Sequence, residues 1–91
     1  MAIDVKDEKL DQACELGATH IVNAWQADPV AEVMKITENK GVDCSIECAG
    51  NKEAMEAAFK ITRYNGGLCV LAGNLRHGET ISIDTNGFEL R

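Results

Sequence analysis

Two rhythms of apolar and polar residues take turns along this chain, one with a period of two and one near 3.6. "AIDV" (residues 2–5) reads as a short strand. After it Leu10, Ala13, Cys14 and Leu16 recur at three- and four-residue spacing, which puts them on one side of a helix. Asp7 is the expected N-cap of that helix, and Gly17 the residue that ends it. "HIVNA" (His20–Ala24) reads as the second strand. Asp28-Pro29 then sets a capping side chain before a proline at the first helical position, where the missing N–H costs nothing. Val30, Val33, Met34 and Ile36 line the apolar side of this second helix, and Gly41 lies just past its end.

In "VDCSIECAG" (Val42–Gly50) the period returns to two. Val42, Cys44, Ile46 and Cys48 share one face, while Asp43, Ser45 and Glu47 share the other, which is expected to be half solvated. Asn51 is placed to cap a third helix whose stripe is Met55, Ala58, Phe59 and Thr62, and Asn65-Gly66-Gly67 breaks it. "LCVLAG" (Leu68–Gly73) is nearly continuous in apolar residues. It is expected to be the most central strand, because a strand buried on both faces loses its alternation. A loop through Gly78 leads to "TISI" (Thr80–Ile83), read as a last strand. The order is β-α-β-α-β-α-β-β with short connections. Strands joined through helices run parallel, so the pattern predicts an α/β fold, a small doubly wound parallel sheet, as one domain over residues 1–91.

Composition narrows the partners. The chain has 91 residues, 45% hydrophobic and 26% charged, which is globular and near the lower end of what folds alone. Its formal net charge is −6. Nucleic acid and anionic membranes both need a basic face, so neither is an expected partner. No apolar run approaches the ~20 residues of a spanning helix, and the N-terminus lacks a basic-then-apolar secretion pattern. The cytoplasm is the expected location. The four cysteines (Cys14, Cys44, Cys48, Cys69) form no C-x-x-C pair and are expected to be reduced, buried small hydrophobes. His20 and His77 stand apart from them, so no zinc site is expected in this chain.

"DVKDEKLDQACELGATHIVNA", then "GVDCSIECAG", then a helix, then "GGLCVLAG" resembles the coenzyme domain of medium-chain, zinc-type alcohol dehydrogenases. The likeness runs from that domain's second strand to about its sixth, and implies a truncated Rossmann fold. It also implies NAD as cofactor. Asp4 matches the family's ribose acid. A carboxylate at the C-terminal end of a strand accepts hydrogen bonds from ribose hydroxyls and repels a 2′-phosphate, which selects NAD over NADP. Lys9 matches a lysine that reaches the same ribose. Cys48, Ala49 and Gly50 match the stretch that packs on adenosine and its ribose, and Ala72, Gly73 and Asn74 the stretch against the nicotinamide ribose. Read without the resemblance, Asp4 is an acid stabilised near a helix start, Lys9 an exposed helix lysine, and the two stretches ordinary strand-to-helix turns.

The same resemblance leaves parts of the family unmatched. No stretch corresponds to the first coenzyme strand with its G-x-G-x-x-G turn, or to the zinc-ligating catalytic domain. The expectation is a chain without activity by itself, binding NAD weakly, or a free-standing nucleotide-binding, regulatory or interaction module. The family's strand order 3-2-1-4-5-6, with its first strand removed, renumbers to the flavodoxin-like 2-1-3-4-5. Closing the gap would pair Ala2–Val5 directly with Val42–Cys48. One sheet face would still keep only the first helix, so a homo-oligomer is expected through that face or through the Thr80–Ile83 edge, and a complementing chain is a further candidate partner.

Overall fold

A computed structural model describes residues 1–83 of the chain. Four strands and three helices follow one another in the order β1 (Ala2–Asp4), α1 (Asp7–Glu15), β2 (Ile21–Asn23), α2 (Pro29–Ile36), β3 (Cys44–Glu47), α3 (Lys52–Ile61) and β4 (Leu68–Leu71). Two of the expected caps hold their helices. Asp28 accepts from the Val30 N–H at 3.0 Å with Pro29 opening α2, and Asn51 accepts from the Ala54 N–H at 2.8 Å at the head of α3. An Asn51→Ala variant is expected to lose about 1 kcal/mol of stability, read as a lower urea midpoint at unchanged slope; an unchanged midpoint would show that the cap is idle. The first helix differs from expectation. Its N-cap is Lys6, which makes no side-chain bond, and Asp7 instead accepts from Asn23 Nδ2 at 2.8 Å, tying the start of α1 to the end of β2.

All strand pairing is parallel, as the alternation of strands and helices requires. β1 pairs with β2 (Ile3 opposite Val22), and β3 with β4 (Ser45 opposite Cys69). The expected closure does not form. Among the described residues there are two separate two-stranded sheets, and Ala2–Val5 is not paired with Val42–Cys48. What joins the halves is helical: α2 packs on β2 and on α3, while α3 packs on β3 and β4. Val33, on α2, is the one large side chain among the described residues that is fully removed from water. At the base of β3 the Val42 N–H donates to the Ile61 carbonyl (2.7 Å) and the Arg63 N–H to the Val42 carbonyl (2.9 Å), so the strand is stitched to the exit of α3.

The half-open sheet corrects several burial expectations. β4 is not the central strand: it lies at an edge, and Leu68 is 58% exposed, with Val70 and Leu71 also exposed. Thr80–Ile83 forms no strand; that stretch is held beside α3, where Ser82 N–H donates to Glu56 Oε2 at 2.6 Å. The edge expected to join two copies is therefore not a strand edge here. On α1 only Leu10 is buried, and Leu16 is 90% exposed. The cysteines are free thiols, but Cys14, Cys44 and Cys48 are exposed rather than buried, and Cys69 is half-buried.

The alternation of β3 is present with its burial reversed. Ser45 and Glu47, the polar face, lie under cover, whereas Cys44 and Ile46 face outward and Ile46 is 66% exposed. Two hydroxyls make the polar burial tolerable. Ser45 Oγ and Thr62 Oγ1 lie 2.7 Å apart, and both reach the Ala58 carbonyl, at 3.0 and 2.7 Å. Paired in this way, neither hydroxyl loses a hydrogen bond when water leaves.

Candidate functional site

In a parallel α/β sheet the loops that leave the C-terminal ends of the strands form the ligand-facing edge. Here those ends are Asp4, Asn23, Glu47 and Leu71. At Asp4 a single carboxylate oxygen organises the turn into α1: Oδ1 accepts from the Val5 N–H at 2.7 Å and the Lys6 N–H at 3.0 Å. Oδ2 has no hydrogen-bond partner among the described residues. The Asn23 side chain, at the end of β2, buttresses the same turn through Asp7 and accepts from the Trp25 N–H at 2.9 Å.

At the ends of β3 and β4 the geometry centres on Glu47, which is 4% exposed. Its carboxylate accepts from the Gly50 N–H through Oε2 at 2.6 Å and from the Gly73 N–H through Oε1 at 3.3 Å. The Gly73 N–H also reaches the Glu47 carbonyl at 3.2 Å. One acid therefore clamps two loops that lie 23 positions apart in the chain (73 − 50). Both clamped residues must be glycine. Gly50 has φ +75°, and a Cβ there would stand 2.8 Å from the Asn74 carbonyl oxygen; a Cβ on Gly73 would stand 2.4 Å from the Gly50 nitrogen. The expectation of a half-solvated Glu47 is thus overturned: the side chain is a buried loop tie. Asp43, on the same strand face, is solvent-exposed and bonds Arg63 Nε at 2.6 Å. Being so exposed, that pair contributes little to stability.

Between the two sheets runs a groove of about 1230 Å³. Ile3, Asp4 and Val5 line one wall, and Cys44, Ile46 and Cys48 the other, with Ala54, Ala57 and Ala58 of α3 below. Of the residues expected to meet a cofactor, Asp4, Cys48 and Ala49 line this groove together. Gly50, Ala72, Gly73 and Asn74 sit in the neighbouring loop crossing, where Gly73 packs against the Gly50 backbone and Gly50 against that of Asn74. Lys9 is exposed on the first turns of α1 and does not line the groove. Sequence reading missed the tie made by Glu47 and the buttress made by Asn23. An acid in the same register as buried Ser45, followed three residues later by glycine, was the available signal for the first.

The ribose half of a dinucleotide fits these residues, since Asp4 keeps one carboxylate oxygen for a hydroxyl at the groove's edge. For a pyrophosphate the described lining residues offer no lysine or arginine, so any grip on it would come from backbone N–H groups. For a metal the donor set does not fit: no group of three or more His, Cys, Asp or Glu residues stands together among the described residues. No helix among them is long and apolar enough to cross a membrane.

Parallel strands joined through crossover helices define a part of a parallel α/β domain. Comparison with known proteins identifies which one. The zinc-binding dehydrogenase family model matches residues 1–89, and the chain belongs to that family, in its NAD-binding part. It is 37% identical over 68 residues to a sorbitol dehydrogenase of Bacillus subtilis (strain 168), covering 75% of this chain and 19% of that protein. It is 40% identical over 74 residues to alcohol dehydrogenase 2 of Zea mays, covering 80% and 20%. Its fold superposes on benzyl alcohol dehydrogenase from Acinetobacter calcoaceticus with a TM-score of 0.87 and 31% identity, over 97% of this chain and 24% of that one. The chain spans about a fifth of the length of the curated relatives it matches.

Proposed function

We propose that this chain supplies the adenosine-side grip of an NAD site in a zinc-type dehydrogenase, and that by itself it oxidises no alcohol. The observation that carries the reading is the position of Asp4: a strand-end carboxylate with Oδ1 spent on its own turn and Oδ2 left at a groove shared with Cys48 and Ala49. The Asp4 carboxylate accepts from a ribose hydroxyl and, by its charge, opposes a 2′-phosphate. Cys48 and Ala49 offer an apolar rest for the adenosine, and the Glu47 tie keeps their loop from drifting away from the strand ends. Bound NAD would supply the nicotinamide ring that exchanges hydride. The polarisation of an alcohol oxygen needs a Lewis acid or an equivalent donor, and the described residues offer no ligand cluster for a metal.

Grip on one half of a dinucleotide is weak. Binding near the millimolar level corresponds to ~4 kcal/mol. Titrating the isotope-labelled chain with NAD or ADP-ribose is expected to shift the amide signals of Asp4, Cys48 and Ala49 in the millimolar range. NADP should shift them less, and Asp4→Asn should narrow that difference. Unmoved signals at several millimolar NAD would end this reading.

A further inference from the structure

We propose that Trp25 determines which base the nucleotide site accepts, by offering the face on which the ligand's adenine stacks. The proposal rests on the nucleotide reading above, and Trp25 is not among the residues matched to the family's coenzyme contacts. Trp25 follows β2 on a turn closed by the Gln26 and Ala27 N–H groups, which donate to the Asn23 carbonyl at 3.0 and 3.1 Å. The side chain is 84% exposed, so its large ring contributes little to the core. Yet it is the only aromatic side chain among the described residues that line the groove. An open aromatic face receives a base by stacking, because every base presents a π surface of its own.

Its placement ties it to Asp4. The Ala24 N–H donates to the Asp4 carbonyl at 3.0 Å, which sets Trp25 one residue beyond a direct bond to that acid. Asn23 then fastens the two turns together. Its Oδ1 accepts from the Trp25 N–H at 2.9 Å, while Nδ2 donates to Asp7 Oδ1 at 2.8 Å and to the Val5 carbonyl at 3.5 Å. In a nucleoside the base is carried on the carbon next to the one that bears the 2′-hydroxyl. A ribose hydroxyl at Asp4 therefore places the base within a ring's width of that carboxylate. Cys48 and Ala49 line the groove from the β3 side, and Trp25 lines it from the β1–β2 side. With no lysine or arginine in the described lining, the groove offers no countercharge to an anion. Adenine is uncharged at neutral pH and needs none.

Three ligands that share a ribose 5-phosphate and differ only at C1′ test the proposal on the whole chain: AMP, nicotinamide mononucleotide and ribose 5-phosphate itself. Trp25 is the chain's only tryptophan, so a single indole N–H signal reports on it, beside the amide signals of Asp4, Cys48 and Ala49. AMP is expected to shift the indole signal together with the amides, and to bind about tenfold more tightly than ribose 5-phosphate. Trp25→Ala should remove that advantage and leave ribose 5-phosphate binding unchanged, whereas Trp25→Phe should keep most of it. AMP that moves the amides but not the indole signal overturns the stacking role and leaves the nucleotide reading standing. So does AMP that binds Trp25→Ala as tightly as the parent. An equal loss of both ligands in Trp25→Ala marks a structural residue and overturns the role as well. An indole shift as large with nicotinamide mononucleotide overturns the assignment of adenine. Signals unmoved by all three ligands end the nucleotide reading and this proposal together.

Discussion

Replacing Gly73 with alanine is expected to remove about 3 kcal/mol of stability, roughly a third of what a domain of this size holds. A methyl group at that position would lie 2.4 Å from the Gly50 nitrogen and 2.6 Å from its Cα. Both are backbone atoms, so no side chain can swing aside to make room. Gly50 is itself held at φ +75° with the Asn74 carbonyl at its back. The loops must therefore separate. Separation breaks the bonds that the Glu47 carboxylate accepts at 2.6 and 3.3 Å, leaving a buried acid short of its donors. Urea unfolding measures the loss directly, as a lower midpoint at constant slope. Because the methyl group and the carboxylate act on one crossing, Glu47→Ala placed on top of Gly73→Ala should add much less than it takes away alone. A Gly73→Ala variant within about 0.5 kcal/mol of the parent would show that the crossing is loose.

The second large effect is expected at Val33→Asp, a loss of about 3–5 kcal/mol from an uncompensated charge in the interior. Val33 is fully buried on the helix through which the two strand pairs are joined. Driving water into that seam acts on the union of the halves more than on either half. Amide exchange should report this as protection lost first where α2 meets α3, with the β1–β2 and β3–β4 ladders then failing at different urea concentrations. Ala31→Asp, on the exposed side of the same helix, is the control and should change stability by less than ~0.5 kcal/mol. Equal losses at both positions would mean that helix propensity, rather than the seam, decides the outcome.

Local chemistry was legible in the sequence, and long-range closure was not. Asp28-Pro29 and Asn51 announce their helices because a cap is satisfied within three residues. The period of two along β3 is equally plain. Which of its faces is covered depends on what lands there: the Ala58 carbonyl and Thr62 hydroxyl receive Ser45, and the Gly50 and Gly73 N–H groups receive Glu47. The continuous apolar run of β4 suggested a strand buried on both sides, yet apolarity records only what a strand can bury. Among the described residues no outer strand pairs with it, and Leu68, Val70 and Leu71 stay exposed. The same distinction applies at the site. Asp4, Cys48 and Ala49 were recognisable and do share a groove, whereas the need for glycine at 50 comes from its positive φ and the Asn74 backbone, and at 73 from the Gly50 backbone.

Joining two strand pairs through a helix seam, with no ladder across the gap, has a thermodynamic consequence. Whatever lodges between the pairs without entering the seam binds only while the seam is closed, so its free energy of association adds to the resistance of the whole chain to melting. Heat tolerance of this small domain is therefore a gauge of occupancy, and a rise in melting temperature with added ligand reports on the cleft even where the ligand itself carries no spectroscopic signal.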